Sequence, residues 1–250
     1  MLTCSNSPAS RAFTILELLV VVALLALGAA VLFPALAKTA PGSDTTRCLN
    51  NLRQVAYGTL MYTSENLDTF PALASRSTYG FHPDDWIYWR GTLSNYPLSK
   101  SPVAVGFSGN ISNLFRCPAD RDDTDRIATT GPDPYYYSYS ITGFGTIGPT
   151  NLGIASVVDS FSGRLYPFKI SQVKRPAGKI MFAEEQVSYK PGEASNMHGT
   201  LINDGHWIPD GADALTARHN GMANIAFSDG HVLSVLPSFG KIATNSRPDL

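Results

Sequence analysis

The feature that most constrains this chain is an apolar run from Phe13 to Ala37, FTILELLVVVALLALGAAVLFPALA, which a single charged residue, Glu17, interrupts near its start. At about 1.5 Å of rise per residue, a helix of this length measures about 37 Å, which exceeds the ~30 Å hydrocarbon core of a bilayer. The run therefore predicts a transmembrane helix over residues 13–37. Pro34 should kink that helix near its far end, because proline removes a backbone donor.

Glu17 is a costly residue in such a helix. A carboxylate in a membrane segment costs roughly 2.5–3.5 kcal/mol on insertion scales, so its presence needs a reason. One explanation is a shallow position near the lipid headgroups. The other is a cut between Ala12 and Phe13, which would create an α-amino group one helical turn before Glu17. The carboxylate could then pair with that cation, or with the same cation on a neighbouring copy, and pairing offsets the cost of burial.

The segment RAFTILELLVVVALLAL, residues 11–27, resembles the N-terminal cleavage and methylation segment of type IV prepilins and type II secretion pseudopilins. The resemblance implies that a prepilin peptidase cuts before Phe13 and methylates its nitrogen. It also implies that Glu17 guides the docking of subunits during assembly and that Pro34 is the helix-kinking proline. The family usually has glycine where this chain has Ala12, which is also small. The implied partners are the peptidase, other pilin or pseudopilin subunits and the inner membrane.

A secretory signal peptide is the main alternative. Arg11, the apolar core and the tripeptide ending at Ala37 also fit a signal sequence cut after Ala37, which would leave a soluble protein starting at Lys38. The charge at Glu17 and the string FTILELL favour the prepilin interpretation. We therefore expect a leader over residues 1–12 and a single-pass inner-membrane protein whose C-terminal domain is periplasmic or extracellular.

The rest of the chain predicts an α+β fold. Pro41-Gly42 should bend or break the helix, and a linker with a second helix should occupy residues 38–67. Ser43 or Asp44 can cap that second helix. Residues 68–250 are rich in Gly, Pro, Ser, Thr and Tyr, which is typical of an antiparallel β-rich exoplasmic domain packed on the helix. The apolar face of the second helix is predicted to carry five residues: Leu49, Leu52, Ala56, Leu60 and Thr63.

The two ends of this part of the chain resemble one subgroup of pilin-like proteins. The string CLNNLRQ begins at Cys48, and His219 is followed after nine residues by Asp229-Gly230, the H-X9-DG signature of that subgroup. Read physically, ANIAF-SDG-HVLSV predicts a β-hairpin in which Gly230 supplies a positive φ. KIMFAEE, residues 179–185, predicts a further strand that ends in two carboxylates.

The cysteines leave two alternatives open. Cys4 lies in the leader, so an exported chain retains Cys48 and Cys117, an even number in an oxidising compartment. A disulfide between them would close a loop of about 70 residues and stabilise the fold by roughly 4 kcal/mol in the chain-entropy model. The other alternative is a pair of buried thiols, because spacing alone does not show that two residues meet.

Two groups of residues are candidate metal ligands. His219, Asp229 and His231 could converge at the hairpin, with Glu184 or Glu185 as a further ligand, although we favour a structural role in which His219 fixes the turn through Asp229. A secreted or membrane-anchored domain with a metal-dependent or binding activity around His219 and Asp229 is the alternative function. Some major pseudopilins hold calcium in a loop, so the resemblance also suggests calcium at a short acidic stretch made of Asp120, Asp122, Asp123 and Asp125.

Other functions find little support in the sequence. A formal net charge of −1 without a basic block argues against a nucleic-acid partner. The chain has no G-x-S-x-G motif, no cysteine beside a plausible base and no glycine-rich phosphate loop, so we expect a structural subunit rather than an enzyme, and no resident cofactor. Trp86, Tyr88 and Trp89 could form an exposed binding platform, but a buried aromatic cluster is the favoured interpretation.

Overall fold

The computed structural model describes residues 15, 17–25, 43–74, 81–90, 96–104, 106–130, 133–143, 153–193, 202–208 and 213–250. The chain divides into two compact units, Met1–Ser43 and Asp44–Leu250. The predicted cleavage site at Ala12 and Phe13, the kink at Pro34 and the break at Pro41-Gly42 lie outside the described residues.

In the first unit, residue 15 and residues 17–25 are helical and form α1. Their sequence consists almost wholly of Leu, Val and Ala, which lack polar side chains that would compete for backbone hydrogen bonds. Among the residues that the structure describes, no helix is both long and apolar enough to cross a membrane. Most of the predicted transmembrane run lies outside those residues.

The second unit begins with α2, Asp44–Glu65. Asp44 in the first turn complements the positive end of the helix dipole. The buried face is rotated from the predicted one, since Leu49 and Leu60 are only half-buried. The hydroxyls of the buried threonines donate to carbonyls of the same helix one turn back, which lets polar residues enter an apolar face. The residues that face the interior are Cys48, Leu52, Val55, Ala56, Gly58, Thr59 and Thr63.

The main sheet has five strands in the order β5-β1-β4-β6-β7. Neighbouring strands are antiparallel, as predicted, except β1 and β5, which run parallel, so the sheet is mixed. The α+β class is confirmed. The strands of this sheet are β1 Tyr139–Thr142, β4 Ile180–Glu184, β5 His206–Trp207, β6 Ala223–Phe227 and β7 Val232–Val235.

Shorter elements complete the second unit. A two-stranded antiparallel ribbon pairs β2, Val157–Val158, with β3, Leu165–Tyr166. The remaining α-helices are α3 Ile111–Phe115, α4 Thr124–Thr130 and α5 Ala243–Ser246.

Both faces of the central strands are buried. Helix α2 packs on β6, β4 and β7, and the core between them contains Leu52, Trp86 and Phe182. A second, smaller core contains Trp207 and Ile225. Because successive side chains of a strand point to opposite faces, β6 contributes to both cores. Trp86, Tyr88 and Trp89 are buried, as favoured from the sequence, and the exposed platform is therefore excluded.

The hairpin of β6 and β7 has the predicted position. Its register pairs Ala223 with Val235, and the N–H of Gly230 donates to the carbonyl of Phe227 across the turn. Gly230 adopts a φ of 91°. A Cβ at this glycine would lie 2.9 Å from Leu60 Cδ1, so the turn also packs closely on α2.

The 3-10 turn Pro102–Ala104 packs closely on α2. A Cβ added to Gly58 would lie 1.9 Å from the carbonyl oxygen of Val103. That separation is far below a van der Waals contact, and the opposing atom belongs to the backbone, which cannot swing aside as a flexible side chain can.

Gly58→Ala should therefore destabilise the protein, although alanine is normally the better helix former by about 1 kcal/mol. We expect a loss of about 1–3 kcal/mol, because overpacking forces the backbone of the 3-10 turn away from α2. Urea unfolding of the full chain in detergent measures it. Gln54→Ala, at an exposed position of the same helix, is the control and should change stability little. A Gly58→Ala protein as stable as the wild type would show that the two segments separate at no cost.

Candidate functional site

The first candidate site is the N-terminal helix. Glu17 lies in α1, and its side chain is exposed. Apolar neighbours are exposed with it, including Leu18, Leu19, Leu24 and Leu25, each more than half accessible. A contiguous exposed apolar surface of this kind marks a site of contact with a membrane or another protein. The described part of this helix therefore presents one carboxylate on an otherwise apolar surface.

The second candidate site surrounds His219 in the C-terminal unit. Cys48 and Cys117 form a disulfide with their Cα atoms 4.9 Å apart. The Nε2 atom of His219 lies 3.5 Å from the Sγ atom of Cys117 and 2.9 Å from the Oε2 atom of Glu184. On the other side of the ring, Nδ1 lies 3.1 Å from the hydroxyl oxygen of Thr45. We call Cys48, Cys117, Glu184 and His219 the four-residue centre.

Local sequence explains how these side chains are presented. Asn220 and Gly221 both adopt positive φ and close a tight turn that reverses the chain between His219 and Met222, just before β6. Asn-Gly is the preferred pair for such a turn. Glu184 is the last residue of β4, and its Oε2 accepts the backbone N–H of Asn224 at 2.9 Å. The backbone thus fixes both side chains, His219 through the turn that follows it and Glu184 through the hydrogen bond from Asn224.

The hairpin turn is separate from this centre. Asp229 accepts hydrogen bonds from the backbone N–H of His231 at 3.1 Å and from its ring at 2.6 Å. The ring of His219 contacts Thr45, Cys117 and Glu184 instead. The interpretation that His219 fixes the turn through Asp229 is therefore wrong, and the residues of the proposed His219–Asp229 metal site have different partners. Asp229 bonds within its own turn because a residue two positions on is always within its reach.

The acidic stretch forms ion pairs rather than a common site. Asp120 is buried, and Arg126 donates to both of its carboxylate oxygens, at 2.9 and 2.6 Å. Ser138 donates a third hydrogen bond at 2.6 Å. Burial opposes ionisation of Asp120, but the charges of Arg218 and Arg126 outweigh it and hold its pKa below the ordinary value.

The other three aspartates of that stretch have partners of their own. Their partners are Lys190 for Asp122, Arg126 for Asp123 and Ser188 for Asp125. Among the described residues, the group of three or more potential ligands that lie within reach of one metal ion consists of Cys48, Cys117, Glu184 and His219. The four aspartates suggested for calcium do not form such a group, because positively charged and hydroxyl side chains occupy their oxygens.

A further buried polar cluster lies on the opposite side of β4. Glu185 follows Glu184 and therefore points the other way, where its Oε2 accepts from Ser140 at 2.8 Å. Burial and the nearby carboxylates of Asp213 and Asp204 raise the pKa of Glu185 well above its ordinary value. Burial also raises the pKa of Asp213 to about 6. Either Glu184 or Glu185 was a candidate ligand from the sequence, and strand alternation brings only Glu184 to His219.

Comparison with known families identifies the N-terminal region. Residues 8–33 match the family model of the prokaryotic N-terminal methylation motif. The N-terminal segment is that of a type IV prepilin-like protein. No curated protein and no solved structure matches the chain.

The match covers the residues that matter for prepilin processing. Ala12, Phe13 and Glu17 lie inside residues 8–33, and Pro34 follows immediately. A prepilin-like chain with this motif is processed by prepilin peptidase, and the segment indicates membrane anchoring. The match does not reach the H-X9-DG signature, which stays a prediction from resemblance.

Two features of the second candidate site were missed from the sequence. The Asn220-Gly221 turn that orients His219 has a recognisable sequence signal, the Asn-Gly pair. Arg218 has none. It is buried and donates to Glu193 at 2.6 Å and to the backbone carbonyl of Glu185 at 2.8 Å. Such a residue is identified only once its distant partners are known.

Asp213→Asn should remove a pH dependence from the stability of the protein. The folded pKa of Asp213, about 6, exceeds its unfolded value near 3.9, so its contribution to stability is present below pH ~4 and is lost as the pH rises to ~6. The wild type should therefore lose on the order of 1–3 kcal/mol relative to the variant over this interval. Urea unfolding at several pH values measures the difference. The neighbouring groups His206 and Glu185, whose pKa values are also raised, are present in both proteins, so their contributions cancel in the comparison.

Asp68→Asn provides the matched control, because Asp68 is exposed and asparagine tolerates its positive φ. Its stability should follow that of the wild type across the same pH interval. A constant difference between the wild type and Asp213→Asn would mean that Asp213 stays ionised in the folded protein.

Proposed function

We propose that this chain is a structural pilin-like subunit rather than an enzyme. After cleavage before Phe13 and methylation of the new N-terminus, it assembles through its N-terminal helix into a type IV pilus or a type II secretion pseudopilus. Its partners are the prepilin peptidase, other pilin or pseudopilin subunits and the inner membrane. The C-terminal unit is carried on the periplasmic or extracellular side.

The observation that carries this proposal is the methylation motif over residues 8–33. The exposed apolar surface of α1 supports it, because such a surface needs either lipid or other helices around it. The same helix serves both stages, first in the bilayer and then against neighbouring subunits. Its Val- and Leu-rich surface can pack against lipid or against the helices of other subunits. Association of apolar helices depends on close contact and on a few polar interactions.

Glu17 supplies the polar interaction in this mechanism. Cleavage exposes the α-amino group of Phe13, one helical turn before the carboxylate. In an assembled fibre, the amino group of one subunit pairs with Glu17 of its neighbour. The pair is surrounded by apolar side chains, where an unpartnered carboxylate would be strongly unfavourable. Pairing therefore fixes the axial register between subunits as well as their contact.

The C-terminal unit supports export. Its disulfide closes the segment between Cys48 and Cys117, a sequence separation of 69. Structural disulfides persist in oxidising compartments and are rare in the bacterial cytoplasm. The cross-link joins α2 to the segment after α3 and thus holds together the part of the domain nearest the N-terminal helix in sequence.

Mass spectrometry of the mature protein from its own host tests processing directly. The expected N-terminal peptide starts at Phe13 and carries one methyl group on its nitrogen. A start at Lys38 would instead establish a signal peptide, and an intact leader would establish an uncut membrane anchor. Ala12→Lys places a bulky cation at the cleavage position and should leave the leader attached, whereas Ala12→Gly should be cut like the wild type.

Glu17→Ala should separate membrane insertion from assembly. Removing the carboxylate lowers the cost of inserting the helix, so the variant should still fractionate with membranes. It should lose incorporation into sheared filaments by tenfold or more, because the neighbouring amino group is left without its partner. Immunoblotting of membrane and sheared fractions measures both quantities.

Glu65→Ala is the matched control, since Glu65 is an exposed carboxylate at the end of α2. It should assemble like the wild type. Normal incorporation of Glu17→Ala would contradict the pairing mechanism while leaving cleavage at Phe13 intact.

A further inference from the structure

The four-residue centre has the composition of a metal site. Two sulfur atoms, one imidazole nitrogen and one carboxylate oxygen all lie within 4.8 Å of one another. Zn²⁺ is bound in proteins by the same three kinds of donor, usually four at a time and in tetrahedral geometry. All four side chains are buried, which is typical of structural rather than catalytic zinc sites.

We propose that the reduced form of this protein binds one Zn²⁺ ion through Cys48, Cys117, Glu184 and His219, so that zinc and the disulfide are alternative cross-links at one site. This inference goes beyond assembly, since it concerns the C-terminal unit alone. It requires the two thiols to be free and makes no demand on the N-terminal helix.

The observed spacing suits a tetrahedral ion. Bonds of about 2.0–2.3 Å to zinc place the ligand atoms of a tetrahedron about 3.3–3.8 Å from one another. His219 Nε2 lies 3.5 Å from Cys117 Sγ and 3.2 Å from Glu184 Oε1. The imidazole therefore stands close to ligand spacing from both Cys117 and Glu184, and the two sulfur atoms must separate once their bond is broken.

Neighbouring groups hold the nitrogen and oxygen ligands in place. The hydroxyl of Thr45 bonds to Nδ1 of His219, which leaves Nε2 directed at the centre. The backbone N–H of Asn224 donates to Glu184 Oε2. Such outer partners orient metal ligands and set the tautomer of a ligating histidine.

The ligands belong to different elements, so a metal ion would tie the fold together. Cys48 lies in α2, Glu184 ends β4, and His219 precedes β6. Cys117 follows α3 and forms part of the wall of a surface cleft of about 530 Å³. Zinc would thus restore the cross-link between Cys48 and Cys117 that reduction removes, and would add β4 and the turn before β6 to it.

The chemistry balances with one co-reactant, a small dithiol. The dithiol transfers two electrons and two protons to the disulfide, which becomes two thiols, while the dithiol itself is oxidised to a disulfide. Zn²⁺ then displaces the two thiol protons, which pass to solvent, and forms two Zn–S bonds. In the reverse direction the oxidised form of that co-reactant, a small disulfide, takes up two electrons and two protons and returns to the dithiol, while the two cysteine thiolates form their sulfur–sulfur bond again and release Zn²⁺.

Zinc content of the full-length protein in detergent tests the proposal. One sample stays oxidised, and the other is reduced with a dithiol that is then removed by anaerobic gel filtration. Alkylation followed by mass measurement verifies the redox state. After incubation with Zn²⁺ and a second gel filtration, we expect about one zinc ion per reduced chain and none retained by the oxidised chain. With Co²⁺ instead, the reduced chain should show thiolate-to-cobalt charge transfer and the visible bands of a tetrahedral site.

Variants separate the centre from other buried groups. His219→Gln should lower zinc affinity by tenfold or more, and its fold can be verified in the oxidised state, where the disulfide is retained. Glu185→Gln is the matched control, because this buried carboxyl lies on the opposite side of β4 and should leave zinc binding unchanged. Zinc should also slow alkylation of Cys48 and Cys117 in the reduced wild type.

Three results would overturn the proposal. The reduced wild type could retain no more zinc than a protein with both Cys48→Ser and Cys117→Ser. The cobalt spectrum could lack charge transfer from sulfur. Glu185→Gln could reduce zinc binding as much as His219→Gln does. Each would show that the centre is a packed disulfide and nothing more, without affecting the proposed role of the N-terminal helix.

Discussion

The contact between α2 and the sheet holds the C-terminal unit together. The buried stripe that begins at Cys48 and continues through Leu52 lies against β4 and β6. Two further attachments reinforce this contact, the disulfide at the start of the helix and the close approach of Gly230 to Leu60 near its end. His219 contacts Thr45 at the start of α2, and Gly230 packs on Leu60 near its end, so the β6–β7 hairpin and the turn that precedes it are held against both ends of this helix.

Polar groups inside this unit are arranged by the same sheet. Strand alternation directs Glu184 toward His219 and the disulfide, and directs Glu185 toward Ser140 on the other side. The first environment pairs a carboxylate with an imidazole and a backbone donor. In the second environment, burial and the charges of neighbouring carboxylates raise the pKa of Glu185. Two adjacent residues of one type thus acquire different chemistry from a single backbone geometry.

The sequence predicted the local elements well and the long-range partners poorly. The hairpin with Gly230 at its turn, the strand predicted over residues 179–185 and the second helix were placed to within a residue or two, because periodicity and turn residues act over a few positions. The buried face of α2 was rotated, since Leu49 and Leu60 are as apolar as the residues that are buried. The parallel pairing of β1 with β5 joins segments more than sixty residues apart, and no local pattern encodes it.

The sequence by itself determined the character of the N-terminus. A long apolar run with one glutamate, preceded by Ala12-Phe13, defines the prepilin-type segment because membrane insertion and peptidase recognition both depend on a contiguous string of residues. Only the tertiary structure decided that His219 meets Glu184 and the disulfide rather than Asp229. The physical reason is that burial desolvates a polar side chain, that a hydrogen-bond partner is needed to offset this cost, and that the partner of His219 lies in a distant element of the chain.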